Sequence, residues 1–205
     1  MKIGKYCDIT NGFIHGENFS CGSFVKIEKG VIVGDNVTVE NYVLLRANVR
    51  LGDRVTVGEY SMVQSGSRIG AGTKVGTYTK VGQNVIMGEN CKFTSFCEIR
   101  DDCRLGNNVS MGSRGTLSAS TTIEDDVIMK YSFVVTDTPV LGKEKDKIVG
   151  TLKRGSQFGA NVTIMPGVNI GENSEIGACS QVRNNVPDNE VWYGNPARFF
   201  KKRAP

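Results

Sequence analysis

Counting from Ile3 in steps of six gives Ile9, His15, Cys21, Ile27, Val33 and so on, without a miss, to Val135. Of the 23 positions on that count only His15 is not apolar. A helix repeats its apolar face about every 3.6 residues and a strand every second residue, so neither explains a six-residue beat. Two residues before many of these positions stands a small or β-branched side chain, as at Val31, Val37, Ser61, Thr73 and Cys91. The residue after is often glycine, as in "LGDRVTVGEY". This pattern predicts an all-β parallel β-helix, in which each hexad is a short strand with one large and one small inward side chain, then a tight corner. Gly, Asn and Asp crowd the corners because a corner needs positive φ, which they tolerate best.

The number of hexads per coil is set by the aromatics. Tyr6, Phe24, Tyr42, Tyr60, Tyr78 and Phe96 recur every eighteen residues, with Arg114 and Ser132 continuing the series. Three hexads per coil puts them in one column along one edge, rings roughly 4.8 Å apart by strand spacing. Such a strip is expected to be an edge covered by another subunit; the alternative is a surface on which a nucleotide base stacks. The 205 residues make about ten coils of three hexads, with the 39% hydrophobic content of a soluble domain.

The beat breaks once. From Val135 to Leu152 is seventeen residues where six are due, and it then resumes through Phe158, Ile164, Ile170, Ile176 and Val182. The charged stretch between, about 137–150, is expected to be a loop thrown out from one corner, and a long loop in a repeat array usually serves a site. The organisation is therefore a β-helix over 1–186 with that insertion, followed by a short C-terminal tail over 187–205. Stepping back by eighteen from Asp137 reaches Ala119, Asp101 and Gln83, so Asp101 and Asp137 share the edge from which the loop departs, two coils or roughly 10 Å apart. Asn84 lies one position further. Two solvated corner carboxylates would look the same, since Asp is a common corner residue.

The block "GTLKRGSQFGANVTIMPGVNIGENSEIGACSQVRNNVPDNEVWYGNPARFFKK" is similar to the terminal block of hexapeptide-repeat sugar acetyltransferases. With "TIEDDVIMKYSFVVTDTP" it most resembles the subgroup that N-acetylates nucleotide-linked amino sugars. The resemblance implies a left-handed β-helix, a homotrimer with active sites between subunits, and acetyl-CoA as co-substrate. In that family "GAN" and "GAG" backbones run beside the pantetheine arm, which carries over to Gly159, Ala160 and Asn161 and to Gly177 and Ala178. Here the second motif reads "GAC", and Cys179 narrows that groove. Arg198, Lys201 and Lys202, after "GNPAR", are the positions for the phosphates of coenzyme A, a solvated basic tail being the alternative.

A single histidine limits the chemistry. A zinc site of the γ-carbonic anhydrase kind needs three. The O-acetyltransferases of the superfamily resemble one another in using a mid-helix histidine as general base, because a hydroxyl is a poor nucleophile at neutral pH. His15 stands in the first coil, as a cap residue or at a slip of register. A neutral amine attacks a thioester without prior base assistance, so positioning and oxyanion stabilisation suffice. The expected reaction is acetyl transfer to the amine of a nucleotide-linked deoxyamino sugar for surface polysaccharide. Asp101 is expected to position or deprotonate that amine, Asp137 and Asn84 to support it, and Arg100 and Arg46 to hold the pyrophosphate. A sugar O-acetyltransferase and a non-catalytic β-helix scaffold are the rival readings.

Other expectations are negative. Six cysteines without a CxxC pair favour neither a metal site nor a disulfide framework, and Cys91, Cys97 and Cys103 read as apolar filler. A net charge of +4 without a massed basic element does not favour nucleic acid. "MKIGKYCDITNG" has no apolar signal region and no run approaches a membrane span, so a cytoplasmic protein is expected.

Overall fold

The computed structural model describes residues 1–143 and 146–203. Two-residue strands follow one another at hexad spacing and wind into a solenoid with three faces. Face A holds twelve strands, from Lys2–Ile3 to Ala197–Lys202; face B holds ten, from Asp8–Ile9 to Gln181–Val182; face C holds eight, from Ile14–His15 to Thr151–Leu152. All pairings around the coils are parallel, and each strand meets the one eighteen residues on, as in Lys2↔Ser20 and Ile3↔Cys21. The ten strands of face B correspond to the ten coils expected from the beat.

The core follows directly from the pattern. The second residue of each strand points inward, so Ile27, Leu45, Ile99, Leu117 and Ile164 are almost wholly buried. Each contributes about 1.5–3 kcal/mol by leaving water. Cys91, Cys97 and Cys103 fill the small inward slots and are buried. Burial pushes the Cys103 thiol up to about 11, which keeps it protonated and makes it packing rather than a nucleophile.

Corners close with a second device. One residue per corner adopts positive φ, such as Asn18, Asn36, Asn84 and Asp102. The residue before it often turns its side-chain oxygen back onto the preceding coil. Asp35 Oδ1 accepts from Glu17 N at 2.6 Å, Asn41 Oδ1 from Ser23 N at 2.8 Å, and Asn107 Oδ1 from Glu89 N at 2.8 Å. These bonds give corner backbone groups partners that the two-residue strands leave without.

Across the insertion the spacing between paired strands becomes twenty-nine, as in Ile128↔Gln157 and Val134↔Thr163, and then returns to eighteen at Gln157↔Glu175. The last coil is two residues short, with Ile170 facing Val186. Of the C-terminal segment, residues 187–203 are described, and they form more than a tail. Glu190–Gly194 and Ala197–Lys202 form an antiparallel hairpin that continues face A beyond Glu175–Ile176. Glu190 anchors it from a buried position, accepting from Lys202 Nζ and from Trp192 Nε1, both at 2.7 Å.

These two donors, Lys202 first, hold the Glu190 carboxyl below its ordinary value. A depressed carboxylate stabilises fully above its unfolded pKa of about 4.3 and loses that contribution as pH falls through the folded value. The unfolding midpoint read by fluorescence of Trp192, the sole tryptophan, is therefore expected to drop on going from pH 5 to pH 3. In Glu190→Gln that part of the slope disappears; an identical slope in both proteins removes Glu190 as its source.

Candidate active site

The insertion leaves face B after Val134–Val135 and rejoins face C at Thr151–Leu152. Beneath its departure lies a cavity of about 550 Å³, lined among others by Arg100, Asp101, Ser118, Asp137, Leu141 and Met165. Three residues singled out in the sequence, Arg100, Asp101 and Asp137, thus meet in one space, with Leu141 of the loop as a wall.

Asp137 differs from a solvated corner carboxylate. It is buried, with 8% of its surface exposed. Its Oδ1 accepts from the Thr138 hydroxyl at 2.9 Å, and its backbone carbonyl accepts from Ile148 N at 2.8 Å, which ties the far end of the loop to the corner. Its Oδ2 is buried without a hydrogen-bond partner among the described residues, Lys147 Nζ standing 3.7 Å off. A buried carboxylate oxygen without a donor is costly, and a donor brought by a ligand relieves the cost.

Asp101 is exposed and belongs to the corner series. Its Oδ1 accepts from Gln83 N at 2.8 Å, as the corner residues of other coils do. Gly82, one coil back, makes this possible: a Cβ there would come within 2.5 Å of that oxygen. One oxygen of Asp101 is structural, which leaves Oδ2 outside the corner bond. Lys80 and Glu98 also line the cavity and pair at 3.2 Å.

The remaining sequence candidates are placed elsewhere. Asn84 holds a positive-φ corner position, donates to Asp102 Oδ1 at 3.3 Å, and is outside the cavity lining. Arg46 shares a column with Arg100 but sits three coils away, roughly 14 Å by strand spacing. There it is bonded to Glu28 at 2.7 Å. His15 lies five coils, about 24 Å, from the coil of Asp101. It occupies an inward register opposite Val33 yet remains exposed, because the first coil has a neighbour on one side only.

Gly159, Gly177 and Ala178 line a second, shallower cavity of about 220 Å³ with Lys130 and Glu175, on the face A side of the edge between faces A and B. Ala160 and Asn161 continue that edge: Ala160 O accepts from Cys179 N, and Asn161 N donates to Tyr131 O, both at 2.8 Å. Gly159 has a reason internal to the fold, since a Cβ there would come within 2.5 Å of Ala178 N in the next coil. Of the basic residues after "GNPAR", Lys202 is held by Glu190 and Lys201 lies 5.8 Å from the centre of the Phe200 ring. Arg198 is exposed on the outer strand of the hairpin.

Sequence reasoning passed over Ser118, Thr136 and Met165, which line the cavity. They stand in one column with Gly82 and Arg100; the same eighteen-residue subtraction that linked the two aspartates reaches Ser118 and Thr136, and Met165 follows at the twenty-nine-residue step across the insertion.

The chain matches two known repeat families: "Bacterial transferase hexapeptide (six repeats)" over residues 151–184 and "Hexapeptide repeat of succinyl-transferase" over residues 20–47. Galactoside O-acetyltransferase of Lactococcus lactis is 42% identical over 62 residues, covering 24% of this chain and 30% of that protein. A dTDP-3-amino-3,6-dideoxy-alpha-D-galactopyranose 3-N-acetyltransferase of Aneurinibacillus thermoaerophilus is 46% identical over 48 residues, covering 23% of this chain and 25% of that protein. The match thus spans under a third of either relative's length. In fold, a UDP-N-acetylglucosamine acyltransferase from Campylobacter jejuni superposes with a TM-score of 0.65 over 98% of this chain and 75% of that one, at 19% identity. LpxA from Acinetobacter baumannii gives 0.58 over 98% and 74%, at 14% identity. These superpositions speak to the fold alone.

Proposed function

We propose that this chain, in which two hexapeptide transferase repeat families match, transfers an acetyl group from acetyl-CoA to the amine of a nucleotide-linked deoxyamino sugar. One observation carries the choice of nitrogen over oxygen. The cavity under the loop offers two aspartates and a glutamate paired with Lys80, and the only histidine is about 24 Å from the coil of Asp101. A hydroxyl needs an imidazole-like base at neutral pH, whereas an unprotonated amine needs alignment.

In this reading the acceptor sugar sits between Asp101 and Asp137, with its amine against Asp101. The amine nitrogen forms a bond to the thioester carbonyl carbon, the C–S bond breaks, and the coenzyme A thiolate leaves. The proton shed by nitrogen passes to Asp101 Oδ2, the oxygen not used by the corner. Asp137 Oδ2, two coils on, takes a donor elsewhere on the sugar and fixes its direction. Arg100 faces the phosphate side of the acceptor.

The pantetheine arm runs beside Gly159, Ala160, Asn161, Gly177 and Ala178. That groove and the aspartate cavity occupy opposite ends of face B, so one chain does not bring them together. A trimer in which the groove edge of one chain faces the loop edge of its neighbour does, and this gives a homotrimer a chemical reason. The left-handed sense of the solenoid and a role in surface polysaccharide belong to the same reading.

The similarity to a galactoside O-acetyltransferase favours a second reading, transfer to a sugar hydroxyl. Both are tested by thiol release from acetyl-CoA with nucleotide-linked amino sugars and their hydroxyl counterparts. Turnover with at least one amine and background rates with every matched alcohol are expected. Brisk acetylation of alcohols alone overturns the amine assignment, and release with neither leaves the chain a scaffold.

A further inference from the structure

The aromatic column lies on the edge between faces A and B, and its six members all sit at positive φ: Tyr6, Phe24, Tyr42, Tyr60, Tyr78 and Phe96, between 54° and 61°. At the other two edges the same positions are mostly Asn, Gly or Asp. A bulky side chain in left-handed backbone costs on the order of 1–2 kcal/mol, so this edge holds its rings against local preference. Backbone outliers of this kind point to use.

The rings are parallel. From Phe24 to Phe96 neighbouring centroids lie 4.7–4.9 Å apart with planes within 5°. The four inner rings are therefore covered on both faces and are 46–49% exposed, whereas Phe96, with one neighbour, is 58% exposed. An inner ring offers a ligand only its rim. Phe96 offers a whole face, towards the next position in the column, Arg114. The guanidinium does not fill that space: among the described residues the cation lying over an aromatic ring is Lys201, on Phe200. Ser95, Phe96, Ser113 and Arg114 instead border a wide-open surface depression of about 580 Å³.

This slot is on the same coils as the aspartate cavity. Phe96 begins the coil segment that crosses face B through Glu98 to Arg100 and Asp101, and Arg114 begins the next, through Thr116 to Ser118. Four extended residue-to-residue steps lead from Phe96 to Arg100, roughly 13 Å, a span suited to an extended nucleoside diphosphate. The charges suit it as well. Arg114 stands at one end and Arg100 at the other, and the acidic side chain in the path, Glu98, is paired with Lys80.

We propose that the nucleobase of the sugar nucleotide stacks on the free face of Phe96, with its diphosphate crossing face B from Arg114 to Arg100. The ligand extends the column by one aromatic plane. This assignment rests on the proposed acceptor class, but its test needs no catalysis.

Binding of UDP, dTDP and GDP to the full chain is measured by titration calorimetry, with inorganic pyrophosphate and coenzyme A alongside. At least one nucleoside diphosphate is expected to bind, and Phe96→Ala to weaken it by about 5- to 100-fold, the loss for one stacked base. Phe96→Tyr is expected to restore binding and Phe24→Ala to leave it unchanged, while pyrophosphate binds weakly and ignores Phe96. No nucleotide binding at millimolar concentration overturns the proposal. So does a Phe96→Ala effect confined to coenzyme A, which gives the slot to the other substrate. Equal losses in Phe96→Ala and Phe24→Ala also overturn it, because Phe24 is covered on both faces and cannot stack a base. Phe96-dependent nucleotide binding without acetyl transfer to amino sugars sustains the subsite and removes the proposed reaction.

Discussion

Replacing Asp101 by Asn is expected to lower kcat by about 100-fold or more, in the range for losing a general base, with little change in KM for acetyl-CoA. The substitution isolates charge from structure. Asn already fills equivalent corners and makes the same bond: Asn41 Oδ1 accepts from Ser23 N at 2.8 Å and Asn169 Oδ1 from Thr151 N at 2.9 Å. The asparagine of the variant keeps the bond from Gln83 N through its own Oδ1 while offering an amide in place of the proton-accepting oxygen. An unaltered thermal midpoint with collapsed turnover is the expected pair of results. If kcat survives, Asp101 is a corner residue like Asp35 and Asp53, whose Oδ1 atoms serve preceding coils with no site nearby.

The second large effect concerns stability. Phe158→Ala is expected to cost about 3–5 kcal/mol, read as a lower urea midpoint. Phe158 is almost wholly buried, and its ring meets that of Phe133 at 4.9 Å. It is the first large inward residue of face A after the insertion, facing Met129 across twenty-nine residues of chain. In a stacked array each coil is stabilised chiefly by its neighbours. Loss at this junction therefore divides the solenoid where the loop rejoins it. A broadened or two-step transition accompanies the shift if the coils on either side part company; a shift under about 1 kcal/mol would mean that the junction is held by the corner bonds instead.

The fold was legible because one arithmetic rule governs it. Every large inward position to Val135 stands at a multiple of six from Ile3, the count restarts at Leu152, and face and partner follow from it. The part of the site made by the rule was equally legible: Asp101 and Asp137 share an edge because they differ by two coils. What the rule does not reach was not visible. Lys147 stands 3.7 Å from Asp137 through a loop with no period, and Lys202 is taken up by Glu190 in a hairpin that breaks the coil pattern. Arg46 shows the opposite failure. Its column was right and its coil was not, because periodicity gives direction around the axis while a cavity also needs height along it. Gly159 and Gly177 illustrate a further limit, since a glycine required by the adjacent coil looks the same in sequence as one required by a ligand.

The ladder bonds on either side of the insertion pair residues twenty-nine apart with no loss of facing, so the stretch inserted after Asp137 leaves the register of the framework unchanged. Its length and chemistry are free to drift while every downstream coil keeps its seat. In the proposed reaction, recognition of new acceptors is thereby uncoupled from folding: that one stretch can be exchanged, as a tool takes a different bit, with the rest inherited unchanged.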